Sequence, residues 1–149
     1  PRGRERVVLC KPMEFMNLSG FAVQRVARFH DVAVDQLVVA HDEIDLEHGR
    51  VRLKQGGGAG GHNGLRSMID QLAGSDFARV RIGVGKGPPI PAAAVSKDVA
   101  GWVLSDFPAA QGAQVEALVA RAADALEAVV GLGIRPAMNQ LNGLPAVEP

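Results

Sequence analysis

Three short stretches of the sequence carry polar side chains that could handle a polar substrate. The segment "GGGAGGHNGL" (residues 56–65) places five glycines in six positions before Asn63, "FMN" ends in Asn17, and "HDE" carries Asp42 after an apolar run. Glycines let the main chain approach a ligand closely, and an amide side chain offers a donor and an acceptor together. A carboxylate after a strand lies at the edge where open α/β sheets bind ligands.

Positive charge is concentrated in residues 50–86, which hold seven cations and two acids, although the 149-residue chain has a formal net charge of zero. The cations are Arg50, Arg52, Lys54, Arg66, Arg79, Arg81 and Lys86. This excess is typical of a phosphate-binding patch, and a solvated face fits it equally well. Two amides, a carboxylate and a basic rim together suit a polar substrate that is joined to phosphates.

Dinucleotide binding is a second interpretation of the glycine-rich loop. Gly56, Gly58 and Gly61 match the pattern G-x-G-x-x-G, and Asp76 lies twenty residues beyond Gly56. Two observations disfavour it. The preceding strand alternates cations with apolar residues, whereas a buried parallel strand is almost continuously apolar, and Asp76 lies in a predicted turn.

A metal site is a third interpretation. Its ligands would come from His41, Asp42, Glu43, Asp45, His48 and His62. No two of the histidines have the helical i, i+4 spacing of a zinc motif, and acids at a strand end more often cap or orient a neighbour. We therefore expect no metal.

Strand and helix patterns alternate along the chain, which predicts one α/β domain over residues 1–149 with a mixed, twisted sheet between helices. The predicted strands are "RVVLC", "QLVVAHDEID", "RVRLKQ" and "ARVRIGVGKG". In the last of these, the apolar residues should face inward, and Arg79 and Arg81 should face outward.

Three helices are predicted from apolar residues at helical spacing. They are "NLSGFAVQRVARFH", with Ser19 as its N-cap and Phe29 on the apolar face, "NGLRSMIDQLAG", with Asn63 as its N-cap, and "AQVEALVARAADALEAVVGLG". The segment "DVAGWVLSDFP" is ambiguous. We predict a loop over "PPIPAAA" and a loop-like C-terminal tail over about residues 134–149.

Composition indicates a globular protein, with 47% hydrophobic residues to build a core. Cys10 is the only cysteine, so no internal disulfide forms, and its apolar neighbours predict a buried thiol. No apolar run approaches the roughly 20 residues of a membrane span, and no signal-peptide pattern is present. These features favour a cytoplasmic protein with no membrane association.

The segments "KPMEFMNLSG", "VVAHDEIDL", "RLKQGGGAGGHNGL" and "FARVRIGVGKG" closely resemble the bacterial-type peptidyl-tRNA hydrolases, in the same order and at the same spacing. The resemblance implies hydrolysis of the ester between a peptide and the ribose at the 3′ end of tRNA, which recycles tRNA during translation. It also implies a monomer that needs neither a metal nor an organic cofactor, with peptidyl-tRNA as its partner.

The resemblance further implies roles for individual residues. Asn17 and Asn63 would bind the peptidyl-adenosine end, and the same cleft would hold Phe15, Met16, Gly60 and His62. Asp42 would keep a catalytic His in the correct tautomer and stabilise its charged form. Lys54 and Arg81, helped by Arg52 and Arg79, would grip tRNA phosphates, which positions a substrate without reading its sequence.

The sequence departs from the family at its beginning. The family starts with a strand, a Gly-Asn-Pro-Gly turn and a Thr-Arg-His-Asn segment, whose His activates the attacking water; none of these is in the 149 residues. We therefore expect that the first strand is missing and that this exact chain has little or no activity. The alternative is a binding module that keeps the tRNA-end cleft and basic rim without hydrolysis.

Overall fold

The computed structural model describes residues 6–87 and 95–148, and the side chains of residues 95–98 lie outside the described part. These ranges contain the strands β1 (Val38–Glu43), β2 (Val51–Gln55) and β3 (Ala78–Gly83), and the helices α1 (Ser19–Phe29), α2 (Asn63–Leu72), α3 (Val95–Val103), α4 (Gly112–Leu132) and α5 (Ile134–Leu141). The strands form one mixed sheet in the order β1-β3-β2, which confirms the predicted α/β class. The predicted loop over residues 88–94 lies outside the described residues.

The alternating pattern of β2 is confirmed, because Val51 and Leu53 are only 6% and 3% exposed while Lys54 is exposed. The outward direction predicted for Arg79 on β3 is wrong, because this residue is only 3% exposed. Adjacent strand residues point to opposite faces, and Val80 is also fully buried. Both faces of β3 are therefore covered at Arg79 and Val80, including the face that the sequence pattern predicted to be polar and exposed.

The chain divides into two compact units, of which the first comprises Pro1–Val39 and Gln55–Ala78. In this unit α1 packs against α2. A Cβ added at Gly20 would lie only 2.1 Å from the carbonyl oxygen of Ser67, and the N–H of Gly20 donates to the Ser67 hydroxyl at 3.0 Å. The core of the unit is formed by Leu65, Met68 and Phe77.

Helix α1 begins differently from the prediction. Its N-cap is Leu18, because a 3-10 turn over Met16–Leu18 runs directly into the helix, and Ser19 is the first helical residue rather than the cap. Phe29 is 84% exposed, so it does not belong to the buried face, which is formed instead by Ala22 and Ala27.

The second unit comprises Ala40–Lys54 and Arg79–Pro149. Helix α4 buries Leu118, Ala122, Ala125 and Val129 along one face and packs against α5, which buries Ala137. The loop-like tail predicted from residue 134 onward is therefore wrong over Ile134–Leu141. The ambiguous segment "DVAGWVLSDFP" contributes to α3, where the indole N–H of Trp102 donates to the carbonyl oxygens of Val84 and Gly85 at 3.1 and 3.0 Å.

The predicted strand "RVVLC" does not form, because residues 6–10 have no regular structure. Val7 and Leu9 are 48% and 93% exposed, and Cys10 is exposed rather than buried. An apolar run becomes a strand only where its backbone finds a hydrogen-bonded neighbour. In the described sheet, the only strand partners are β1, β2 and β3 themselves.

Candidate functional site

The two predicted amide residues lie on elements that pack together within the first unit. Asn17 is the middle residue of the 3-10 turn, Asn63 is the first residue of α2, and the turn contacts α2. A Cβ added at Gly64 would lie 2.6 Å from the Sδ atom of Met16 and 3.0 Å from Cε1 of His62. Glycine at position 64 therefore allows Met16 to pack on the first turn of α2, which holds the turn carrying Asn17 against this helix.

The residues of this group present their side chains to solvent. Asn17 and Asn63 are both exposed, and Phe15 and Met16 are 82% and 55% exposed. His62 is half-buried. Exposed amides beside exposed apolar surface suit a ligand that has both polar and apolar parts.

A carboxylate fixes the backbone just before this group. Glu14 forms an ion pair with Arg25 of α1, with 2.7 Å between the carboxylate and the guanidinium. A hydrogen bond from its own backbone N–H holds the pKa of Glu14 below its ordinary value, and Arg25 acts in the same direction. The contact ties the segment that carries Phe15 to α1.

The sequence predicted Asn63 as the N-cap of α2, but the cap is His62. The Nδ1 atom of His62 accepts a hydrogen bond from the backbone N–H of Leu65 at 3.2 Å, and Asn63 already has a helical backbone. The cap satisfies one of the orphan N–H groups at the helix start. Because His62 takes this task, the amide of Asn63 is not needed as the cap.

The glycine-rich loop needs its glycines for backbone conformation and for openness. Four of them, namely Gly56, Gly57, Gly60 and Gly61, have positive φ angles between 58° and 102°. Other residues adopt this region at a cost, whereas glycine enters it freely. A Cβ added at Gly58, Gly60 or Gly61 would meet nothing within 4 Å, so the main chain here faces open space.

Asp76 is engaged at the base of this loop. The side-chain amide of Gln55 donates to Oδ1 of Asp76 at 2.6 Å and to its carbonyl oxygen at 3.2 Å. The N–H of Gly56 donates to the carbonyl oxygen of Phe77 at 3.0 Å. Asp76 thus helps to hold the two ends of the glycine-rich loop together. In a dinucleotide-binding protein, an acid at this distance from the first glycine would instead bind the ribose of the nucleotide.

Within the second unit, Asp42 and Glu43 are the last two residues of β1, and both are half-buried. His41, which precedes them, is buried, and its Nδ1 atom lies 2.6 Å from the carbonyl oxygen of Asp42. Since a carbonyl oxygen only accepts, Nδ1 is the donor in this contact. The ring of His41 is thus held against its own backbone.

The predicted phosphate-binding cations differ in their exposure. Lys54 is exposed and Arg52 is half-buried. Arg81 has a quarter of its side chain exposed, and its Nε atom pairs with Oε2 of Glu43 at 3.0 Å. Burial lowers the pKa of the Arg79 guanidinium, with Arg81 acting in the same direction and Glu43 opposing it. A guanidinium as buried as that of Arg79 is not available to a phosphate on the surface.

Residues 2–148 match the family model for peptidyl-tRNA hydrolase. The chain belongs to the peptidyl-tRNA hydrolase family. It is 48% identical over 136 residues to the peptidyl-tRNA hydrolase of Mycolicibacterium smegmatis, a match that covers 91% of this chain and 68% of the relative. It is 46% identical over 138 residues to that of Cutibacterium acnes, covering 93% of this chain and 66% of the relative.

Solved structures of peptidyl-tRNA hydrolases have the same fold. The enzyme from Acinetobacter baumannii aligns with a TM-score of 0.71 and 37% identity, covering 89% of this chain and 64% of that one. A peptidyl-tRNA hydrolase in complex with N-propanol aligns with a TM-score of 0.75 and 35% identity, covering 91% and 66%. The chain thus spans about two thirds of the length of the family members that it matches.

A separate cavity of about 190 Å³ lies in the second unit, lined by His48, Val84, Trp102, Val103, Ser105, Asp106, Phe107, Pro108 and Gln111. None of the residues predicted to bind peptidyl-tRNA lines it, and His48 is the one candidate metal ligand among its lining residues. Over residues 6–87 and 95–148, no helix is long and apolar enough to cross a membrane. In the same ranges, no cluster of three His, Cys, Asp or Glu side chains could hold a metal ion.

Sequence reasoning missed three contacts that shape the site. Met16 packs at Gly64, Gln55 donates to Asp76, and Glu43 pairs with Arg81. The alternation of β3 put Arg81 on its polar face, but nothing in the sequence paired it with a particular acid. The strand order β1-β3-β2, which makes β1 and β3 neighbours, supplies that information.

Proposed function

We propose that this protein hydrolyses the ester that joins a peptide to the 3′ ribose of tRNA, as its family membership implies. The observation that carries the proposal is the packing of Met16 at Gly64, which holds the turn bearing Asn17 against the helix that begins with Asn63. Both amides are exposed, and each can donate and accept. A peptidyl-adenosine end offers matching groups in its ester, ribose and base.

The glycine-rich loop would bring bare backbone to the same end of the substrate. Gly58, Gly60 and Gly61 leave open space where side chains would otherwise stand. Backbone N–H and carbonyl groups bind a peptide main chain without regard to its side chains. This suits an enzyme whose substrates carry peptides of many sequences.

Asp42 would act as a positioning residue for the general base. A carboxylate that accepts from one nitrogen of a His fixes its tautomer and stabilises the imidazolium that forms when the base takes a proton from water. The hydroxide equivalent attacks the ester carbonyl, the tetrahedral intermediate collapses, and the ribose oxygen leaves with a proton. The family resemblance assigns the base to the Thr-Arg-His-Asn segment.

Lys54, Arg81 and the half-buried Arg52 would bind tRNA phosphates. Such contacts release counterions, so they give an affinity that falls steeply with salt. They carry no sequence information, in keeping with an enzyme that serves many tRNAs. We further infer that the protein acts as a monomer in the cytoplasm, where peptidyl-tRNA arises during translation.

The test measures release of the N-blocked amino acid from N-blocked aminoacyl-tRNA by the wild-type protein and by Asn17→Ala and Asn63→Ala, each supplied with a peptide that carries the family's Thr-Arg-His-Asn segment. We expect each variant to lower kcat/KM by roughly 10- to 100-fold, the effect of one lost hydrogen bond in a desolvated site. Asn139→Ala, in an exposed residue of α5, is the matched control and should leave the rate unchanged. Equal rates for all three variants would refute the assignment, and tRNA binding without release under any condition would favour a binding module.

A further inference from the structure

Arg79 and Arg81 bring two positive charges to one face of the central strand. They stand two residues apart on β3, so their side chains emerge on the same side of the sheet. Arg79 is buried, and Arg81 has only a quarter of its side chain exposed. Two guanidinium groups in this setting repel each other and require a nearby negative charge.

Glu43 supplies that charge and is itself fixed by two contacts of its carboxylate. Oε2 accepts from Nε of Arg81 at 3.0 Å, and Oε1 accepts from the backbone N–H of Asp45 at 3.1 Å. The carbonyl oxygen of Glu43 also accepts a hydrogen bond at 3.2 Å from the N–H of Val84, which is the residue after β3. Only 18% of the Glu43 side chain is exposed. Its position is therefore set by the turn after β1 and by the segment after β3.

The contact leaves the phosphate-binding end of Arg81 available. A guanidinium has five N–H donors, and the bond to Glu43 uses the one on Nε. The two Nη groups of Arg81 are not the donors in that bond. Four donors in a planar fork suit the bidentate recognition of a phosphate.

We propose that Glu43 is a positioning residue for tRNA binding, which holds Arg81 by its Nε atom so that the Nη groups face a phosphate of the substrate. This inference rests on the proposed function, in which Arg81 grips a tRNA phosphate. According to this inference, Glu43 strengthens tRNA binding even though its negative charge repels the phosphates. Removing the charge should therefore weaken tRNA binding, whereas a purely electrostatic effect would strengthen it.

The experiment measures binding of deacylated tRNA to the protein as a function of salt concentration. Glu43→Gln should weaken binding by about three- to tenfold at moderate salt, and it should reduce the slope of log K against log salt by about one. If only net charge mattered, the added positive charge would tighten binding instead. Glu127→Gln, an exposed residue of α4, makes the same charge change and should bind at least as tightly as wild type.

Two more variants separate this inference from the proposed function. Arg81→Gln should weaken binding on its own, and Glu43→Gln should have no further effect when Arg81 is already Gln. If Arg81→Gln binds normally, the phosphate role of Arg81 fails and the inference fails with it. If Arg81→Gln binds weakly while Glu43→Gln binds as wild type or more tightly, only the positioning role of Glu43 is overturned.

A purely structural role for Glu43 would lower the melting temperature without changing the salt slope. Glu43→Asp covers the case in which Glu43→Gln does not fold, because it keeps the charge and shortens the side chain by one methylene. We expect weaker tRNA binding by this variant as well, since the shorter carboxylate no longer reaches Nε of Arg81 while bonding Asp45. Wild-type binding and slope in Glu43→Asp would overturn the proposal.

Discussion

The Nδ1 atom of His62 accepts a hydrogen bond from the backbone N–H of Leu65 at 3.2 Å and so caps the helix α2. The next residue, Asn63, is the first of the helix and is exposed. A ring nitrogen that accepts a hydrogen bond carries no hydrogen, so in this cap the N–H of the imidazole is at Nε2. His62 thus sets the backbone from which the amide of Asn63 projects.

Loss of this cap should destabilise the protein. We expect His62→Ala to lower the free energy of unfolding by about 1 kcal/mol, because the N–H of Leu65 loses its partner. His62→Asn keeps a side chain that caps helices well, so it should retain most of the stability. Urea denaturation followed by circular dichroism measures both. Equal losses in the two variants would show that the cap is not what His62 contributes.

The close packing of α1 on α2 makes Gly20 intolerant of any side chain. A Cβ there would lie 2.1 Å from the carbonyl oxygen of Ser67, a backbone atom that moves only if the helices separate. Gly20→Ala should therefore cost several kcal/mol, roughly 3 or more, as overpacking of a helix interface does. Gly131→Ala in α4 is the control, because a Cβ there meets nothing within 4 Å. Gly131→Ala should be more stable than wild type by up to about 1 kcal/mol. Thermal unfolding of the two variants measures the difference, and equal melting temperatures would contradict the prediction.

Position 142 should require an amide side chain for full stability. Its Oδ1 atom accepts from the N–H of Leu53 at 2.7 Å, and its Nδ2 atom donates to the carbonyl oxygen of Leu53 at 3.0 Å. The side chain therefore pairs with the backbone of β2 as a neighbouring strand would. Asn142→Asp keeps the size and loses the donor, so we expect a loss of about 1 to 3 kcal/mol. A calorimetric scan showing wild-type stability above pH 6 would contradict this.

The thiol of Cys10 should react freely in the folded protein, because Cys10 is exposed. We expect Ellman's reagent to modify one thiol in native protein at a rate close to that in 6 M guanidinium chloride. Protection by more than about tenfold would mean that the thiol is buried, as its apolar neighbours had suggested.

Elements with strong periodicity could be predicted from the sequence. The alternation of Val51 and Leu53 identified β2, and the stripe of Leu65 and Met68 identified α2. The helix α5 was missed although its apolar residues have helical spacing, namely Ile134, Ala137, Met138 and Leu141. Pro136 lies in its first turn, where the missing N–H costs nothing.

Features that depend on the strand order could not be predicted. The burial of Arg79 follows from the central position of β3, and the pairing of Glu43 with Arg81 follows from the adjacency of β1 and β3. His62 was overlooked as a cap because Asn is a much commoner one and stands next to it. The apolar run before Cys10 remains exposed because a strand needs a partner as well as a pattern.

The positioning role proposed for Asp42 is tested most directly by Asp42→Asn. Release of the N-blocked amino acid from N-blocked aminoacyl-tRNA is measured for the wild-type protein and the variant, each with and without a peptide carrying the family's Thr-Arg-His-Asn segment. We expect the wild type with the peptide to release the amino acid, and Asp42→Asn to be slower by about 10²- to 10⁴-fold. Equal rates for the two proteins, or no release by the wild type in either mixture, would contradict a peptidyl-tRNA hydrolase site built on Asp42.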